Sequence, residues 1–207
     1  MKLIYGTTNQ AKVQHMQDML LGLNIDIVGM DHAVPLPIDI EETGNNPLEN
    51  ARIKALSYFN YLHSPVFSCD SGLYIEGLGA QEQPGVHIRR VEGKELTDEQ
   101  MISHYSRLVA RLGGRVKARY RNAICLAIDS HTILEYDGDD IASEEFFIVS
   151  IPHLRRVEGF PLDSLSIHCE TQKYYFDLAE DYQVGKHSLV QANGFRRFFQ
   201  NAIMAHG

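Results

Sequence analysis

The chain has 207 residues, 44% hydrophobic and 22% charged, ordinary proportions for a globular protein with a sizeable core. Its formal net charge of -8 argues against partnership with a nucleic-acid polymer, whose backbone calls for a basic surface. Cys69, Cys125 and Cys169 are odd in number, far apart and free of any CxxC pattern, which argues against a disulfide framework or a zinc site and for a reducing compartment.

The opening MKLIYGTTNQ is too short an apolar run for a signal peptide, and no stretch approaches the roughly 18 apolar residues of a membrane span. A cytoplasmic protein without a membrane partner is expected. KLIYG predicts a buried strand. A helix follows, with Val13, Met16, Met19, Leu20 and Leu23 at helical spacing and a close near Gly22. IDIVGM predicts a second strand. The polar loop PLPIDIEETGNNP leads to Pro47, a residue suited to a first helical turn, and the helix runs to about Leu62.

FSCDSGLYIEGL predicts a strand ending on Asp70, a turn at Gly72 and a second strand. Thr97 and Gln100 have the spacing of a capping box before an amphipathic helix that stops at Gly113-Gly114. VKARYRNAICLAID, HTILEYDG and EEFFIVSI predict a meander, with DGDD as a plain turn because the twelve-residue calcium loop is absent. LVQANGFRRFFQNAIM predicts a closing helix. Helices at both ends with strands between them make an α/β or α+β protein with a mixed sheet.

Four clusters are candidates for chemistry. Thr7, Thr8, Asn9 and Lys12 lie between a strand and a helix, where small polar residues, helix-terminal amides and a lysine can hold phosphate; an ordinary helix cap is the plainer alternative. Glu41 and Glu42 precede a helix bearing Lys54, so acids and a base can share a cleft, or stand as solvated charges with a snorkelling lysine. Asp70, joined by Glu41 or Glu42, offers hard oxygens for Mg²⁺, which takes one or two carboxylates and completes its shell with water and phosphate, and Ser71 can donate to a phosphate oxygen; a strand-turn-strand with a polar tip is the plainer alternative. In GFPLD, Phe160 can stack on a base and Asp163 can accept from base nitrogens, with Lys186 further on; core and turn roles are the alternatives.

Taken in order, TTNQAK, EETGNNPLENARIKA, CDSGLYIEGLGAQEQPGVHIRR, TDEQ, EGFPLD and GKHS resemble the inosine/xanthosine triphosphate pyrophosphatase family across essentially the full chain. The resemblance implies an α/β fold in which a mixed central sheet is bent between two α/β lobes, with residues 1–207 one domain of two lobes and the nucleotide in the cleft. It further implies a homodimer and Mg²⁺-dependent hydrolysis of a non-standard purine nucleoside triphosphate (ITP, dITP or XTP) to the monophosphate and pyrophosphate, cleansing the nucleotide pool. By resemblance, Thr7, Thr8, Asn9 and Lys12 bind the triphosphate, and Lys54 and Lys186 contact phosphate or base. Glu41 and Asp70 bind metal, Asp70 is the catalytic acid with Lys12 beside it, Ser71 contacts substrate, and Phe160 and Asp163 hold the base.

Three departures accompany the resemblance. Cys69 replaces the first of two acids before SGL, Thr8 replaces a glycine, and the Ser-His-Arg of the last helix falls on Val190-Gln191-Ala192. Gln191 is then the candidate base contact, and its amide can donate or accept. A pyrophosphatase of altered base preference, or a weakly active or inactive nucleotide-binding regulator, is the alternative.

Overall fold

The computed structural model describes residues 2–30, 40–178 and 189–206. It is a mixed α/β protein whose strands hydrogen-bond in the order β2-β1-β3-β6-β8-β9, with β7 also on β6, and it has four α-helices among the described residues. None of these helices is long and apolar enough to cross a membrane. The chain divides into two compact units, residues 1–71, 121–142 and 189–207 in the first and residues 72–120 and 143–188 in the second.

The first unit holds β1 (Lys2–Tyr5), α1 (Gln10–Met19), β2 (Asp26–Gly29), α2 (Pro47–Leu62), β7 (Ile133–Tyr136) and α4 (Leu189–His206). It also takes the start of β3 (Val66–Ile75) and the end of β6 (Arg115–Ala127). β1 pairs in parallel with β2 and β3, and β7 pairs antiparallel with residues 124–127 of β6. Side chains alternate between the faces of a strand. Ile124 and Leu126 accordingly join Leu3, Val13, Met16 and Phe199 in one cluster, while Ala123 and Cys125 meet Ala51 and Ala55 of α2 in another. On the first face, Tyr5 stacks on Phe67 at 4.5 Å and Phe199 meets that ring edge-on at 5.1 Å. The small residues on the second face let α2 approach the strands closely, which matters for the acids and bases that α2 carries.

The second unit holds β4 (Arg90–Val91), β5 (Lys94–Glu95), α3 (Asp98–Arg111), β8 (Phe146–Val149) and β9 (Ser166–His168), with the remainders of β3 and β6. Its core joins Leu73 and Ile75 to Met101, Tyr105 and Val109 of α3 and to Ile148 and Leu165. The capping box forms as expected: Thr97 accepts from the Gln100 amide, and the Gln100 side chain accepts from Thr97.

Three expectations are corrected. Asp70 does not end a strand and Gly72 does not turn; β3 runs unbroken through both. Gly72 instead lets Gly85 close in, since a Cβ there would lie 3.0 Å from the Gly85 carbonyl carbon. Leu73 and Gly85 exchange backbone hydrogen bonds beside it. The meander is also replaced, because β8 pairs with residues 115–118 of β6 and not with β7. The first helix closes at Met19, before Gly22, and Leu20 and Leu23 pack from the turn that follows. DGDD is a turn, with a single 3₁₀ turn at Asp139–Ile141.

Candidate active site

Helix α2 is built to bring polar groups to β3. Asn46 caps it, accepting from the Glu49 amide at 2.9 Å, and Pro47 occupies the first turn, where its missing N–H costs nothing. Glu49 reaches back to accept from the Asn45 amide at 2.7 Å, fastening the incoming loop. Four residues apart, Asn50 and Lys54 share one face of the helix. Both reach Asp70.

Lys54 Nζ lies 2.8 Å from Asp70 Oδ1 and 3.2 Å from Glu42 Oε2. The Lys54 and Asp70 side chains are only 12% and 13% exposed. Burial pulls the Lys54 ammonium down, but Asp70 and then Glu42 more than offset it and hold its pKa above the ordinary value. Asn50 donates to Asp70 Oδ2 at 3.2 Å and accepts from the Gly44 amide at 2.8 Å. Mid-strand Asp70 is thus fixed at both oxygens, which answers the cost of burying a carboxylate.

Neighbouring Cys69 packs with the Tyr5 and Phe67 cluster on the other face of β3. Burial pushes its thiol up to about 12, against smaller opposing effects of a hydrogen bond with Tyr5 and the charges of Lys54 and Lys12. A neutral thiol cannot replace a second carboxylate as a base. The same effects put Lys12, itself exposed, within electrostatic range of this end of β3.

In the loop before α1, Asn9 caps the helix, its Oδ1 accepting from the Ala11 and Lys12 amides at 3.0 and 3.3 Å. Thr7 Oγ1 accepts from the Asn9 amide at 3.2 Å, and Thr8 is exposed. An anion here would exchange with the Asn9 side chain for the same amides. Ser71 donates to Asn122 Oδ1 at 2.6 Å, and Asn122 donates to the Ile141 carbonyl at 2.7 Å. Gln191, only 8% exposed, donates to that carbonyl at 3.2 Å. Its amide donor is engaged within the first unit.

The structure therefore brings together Glu42, Lys54 and Asp70, with Lys12 in electrostatic range, and places Thr7, Thr8, Asn9, Ser71 and Gln191 in the same unit. Glu41 is exposed. Phe160 and Asp163 belong to the second unit, Phe160 exposed before a 3₁₀ turn and Asp163 within it, half-buried. Lys186 lies outside the described residues. Sequence reasoning missed Asn50 and Asn122. Asn50 had a legible signal in its four-residue spacing from Lys54; Asn122 had none, since its partners are distant in the chain.

No three His, Cys, Asp or Glu residues converge as a metal cage among the described residues. The donor set still suits Mg²⁺, which needs only one or two carboxylates when phosphate and water supply the remainder. A groove of about 450 Å³ beside β7 and α4, lined by residues that include Ile133, Tyr136, Phe198 and Ala202, contains none of these acids.

A mixed-sheet α/β protein with a buried acid held by a lysine and an amide defines the class. The chain belongs to the Ham1 family, whose model matches residues 3–143. This makes it a pyrophosphatase, a hydrolase acting on acid anhydrides. A protein named dITP/XTP pyrophosphatase from Leptospira interrogans is 31% identical over 184 residues, 87% of each chain. Another of that name from Symbiobacterium thermophilum is 32% identical over 130 residues, so that the chain spans 62% of its length. The structure of a HAM1 protein from Coxiella burnetii superposes with a TM-score of 0.73 at 26% identity, covering 100% of both chains.

Proposed function

We propose that this protein hydrolyses a non-standard purine nucleoside triphosphate to the monophosphate and pyrophosphate with Mg²⁺, removing it from the nucleotide pool. The observation that carries the reading is the Glu42–Lys54–Asp70 cluster, in which an acid and a base are buried together and held by opposed charges. The name shared by the relatives supplies the substrate class.

Water adds to one phosphorus of the α–β anhydride, the bridging oxygen leaves with the other phosphoryl group, and the water's proton passes to Asp70. Asp70, held at two points, orients the water. Lys12 and Lys54 neutralise phosphate charge, and Thr7, Thr8, Asn9 and Ser71 contribute hydrogen bonds. By the family resemblance, Asp70 and Glu41 would hold Mg²⁺, with Glu42 the alternative to Glu41. The ion would supply charge neutralisation at the phosphates. Phe160, Asp163 and Lys186 would serve the base side. The same reading carries a homodimer in the cytoplasm, with light scattering of the purified protein as the test of the dimer.

Gln191 favours a second reading, a pyrophosphatase of altered base preference. Its amide donates to Ile141 inside the fold, and Val190 and Ala192 offer no polar side chain. Comparing pyrophosphate release from ITP, XTP and dITP with release from the standard triphosphates decides between the two. Preference for the deaminated purines by tenfold or more supports the first reading, about 1.4 kcal/mol of discrimination. Equal rates, or preference for a standard base, support the second.

A further inference from the structure

We propose that Asn50 is a positioning residue of the reaction: one buried amide that holds the Asp70 carboxylate and the Glu41–Gly44 loop in a single mutual geometry. The inference rests on the function proposed above and extends it to a residue that does not itself touch substrate.

Asn50 is 2% exposed, so its polar atoms must find partners inside the protein. Its carbonyl oxygen accepts from the Gly44 amide at 2.8 Å, and its NH₂ donates to Asp70 Oδ2 at 3.2 Å. One partner can only donate and the other, ionised, can only accept, which fixes the orientation of the amide. The loop is pressed onto the helix at this point: a Cβ on Gly44 would stand 2.6 Å from Asn50 Oδ1 and 2.7 Å from Glu49 Cβ. Lys54 holds the other Asp70 oxygen at 2.8 Å, so together the two residues stop the carboxylate from rotating.

No near relative of asparagine does both tasks. Aspartate keeps the bond to Gly44 but turns an acceptor toward Asp70. Leucine keeps the volume and leaves both partners unpaired. Glutamine is a methylene too long for a site this closely packed. Supporting residues of this kind cost roughly 10–100-fold in activity or metal affinity when removed.

The test compares Asn50→Asp and Asn50→Ala with wild type in steady-state kinetics, Mn²⁺ affinity by electron paramagnetic resonance, and hydrogen exchange at the Gly44 amide. Both variants should lose about 10–100-fold in kcat or Mn²⁺ affinity, with nucleotide KM within about threefold. Only Asn50→Ala should speed Gly44 exchange. A folded Asn50→Ala with wild-type kcat and Mn²⁺ affinity, or with wild-type Gly44 exchange, overturns the proposal.

If wild type releases no pyrophosphate, the functional reading fails, while Gly44 exchange and the Asn50 side-chain amide resonances still judge the clamp. Asp70→Ala leaves Asn50 in place and should displace those resonances, even if neither Asn50 variant folds. Unmoved resonances would overturn the assignment.

Discussion

Lys54 is the residue on which the local balance of charge turns. With it in place, one ammonium pairs with both Asp70 and Glu42; without it, the largely buried Asp70 loses the cation that it pairs with. Removing one partner of a largely buried ion pair costs on the order of 3 kcal/mol. Lys54→Ala should therefore lower the urea midpoint of the first unit substantially, and removing the unpaired buried carboxylate as well, in Lys54→Ala/Asp70→Asn, should recover part of the loss. A second residue-scale expectation concerns Cys69. Its pKa of about 12 leaves it a neutral thiol, so alkylation by iodoacetamide at pH 8 should be much slower than for a free cysteine. Rapid modification of Cys69 in the folded protein would contradict the burial that sets this value. Glu42 and Lys54 were legible as candidates because charged residues near a glycine-bearing loop stand out in sequence. Asn50 was not singled out despite its four-residue spacing from Lys54, because its role depends on partners 6 and 20 positions away.

At the scale of elements, the helices were more legible than the strand bearing the acid. Pro47 and the apolar spacing placed α2 within its observed bounds, and Thr97 with Gln100 marked the start of α3, because capping chemistry is local. Thr97→Ala should remove one capping bond and lower stability by about 1 kcal/mol, read as a shift in urea midpoint. Strand β3 was misread because Ser-Gly carries a turn signal, whereas the reason for Gly72 is the approach of Gly85, thirteen residues on. The pairing of β6 with both β7 and β8 was equally hidden, since register depends on contacts the local pattern does not contain. Between α2 and β7, Arg52 pairs with Glu135, and its hydrogen bond holds the Glu135 carboxyl below the usual range. A lowered folded-state pKa contributes stability that is present above the unfolded value, near 4.3, and is lost as pH falls through the folded one. The Tm difference between wild type and Glu135→Gln should thus be positive at pH 6 and vanish on acidification. Partial exposure limits it to about 1 kcal/mol or less.

For the whole molecule, the proposed function sets an acidic chain with net charge -8 against a more acidic substrate. On that proposal, lysines local to the site and a divalent cation would offset the overall field, which repels triphosphate. Chelation of Mg²⁺ should accordingly abolish turnover, and re-addition should restore it. The motif order pointed to the family across the chain, and the family assignment agrees with it. The departures at Cys69 and Gln191 have a structural sense: the first turns into an apolar cluster, and Gln191 hydrogen-bonds inward. The measurement that tests the central claim most directly is pyrophosphate release from deaminated purine triphosphates in Mg²⁺, comparing wild type with Asp70→Asn and recording nucleotide binding by both. The account predicts release by wild type, a loss of at least about a hundredfold in kcat for Asp70→Asn, and retained binding. Equal rates for the two proteins would contradict it.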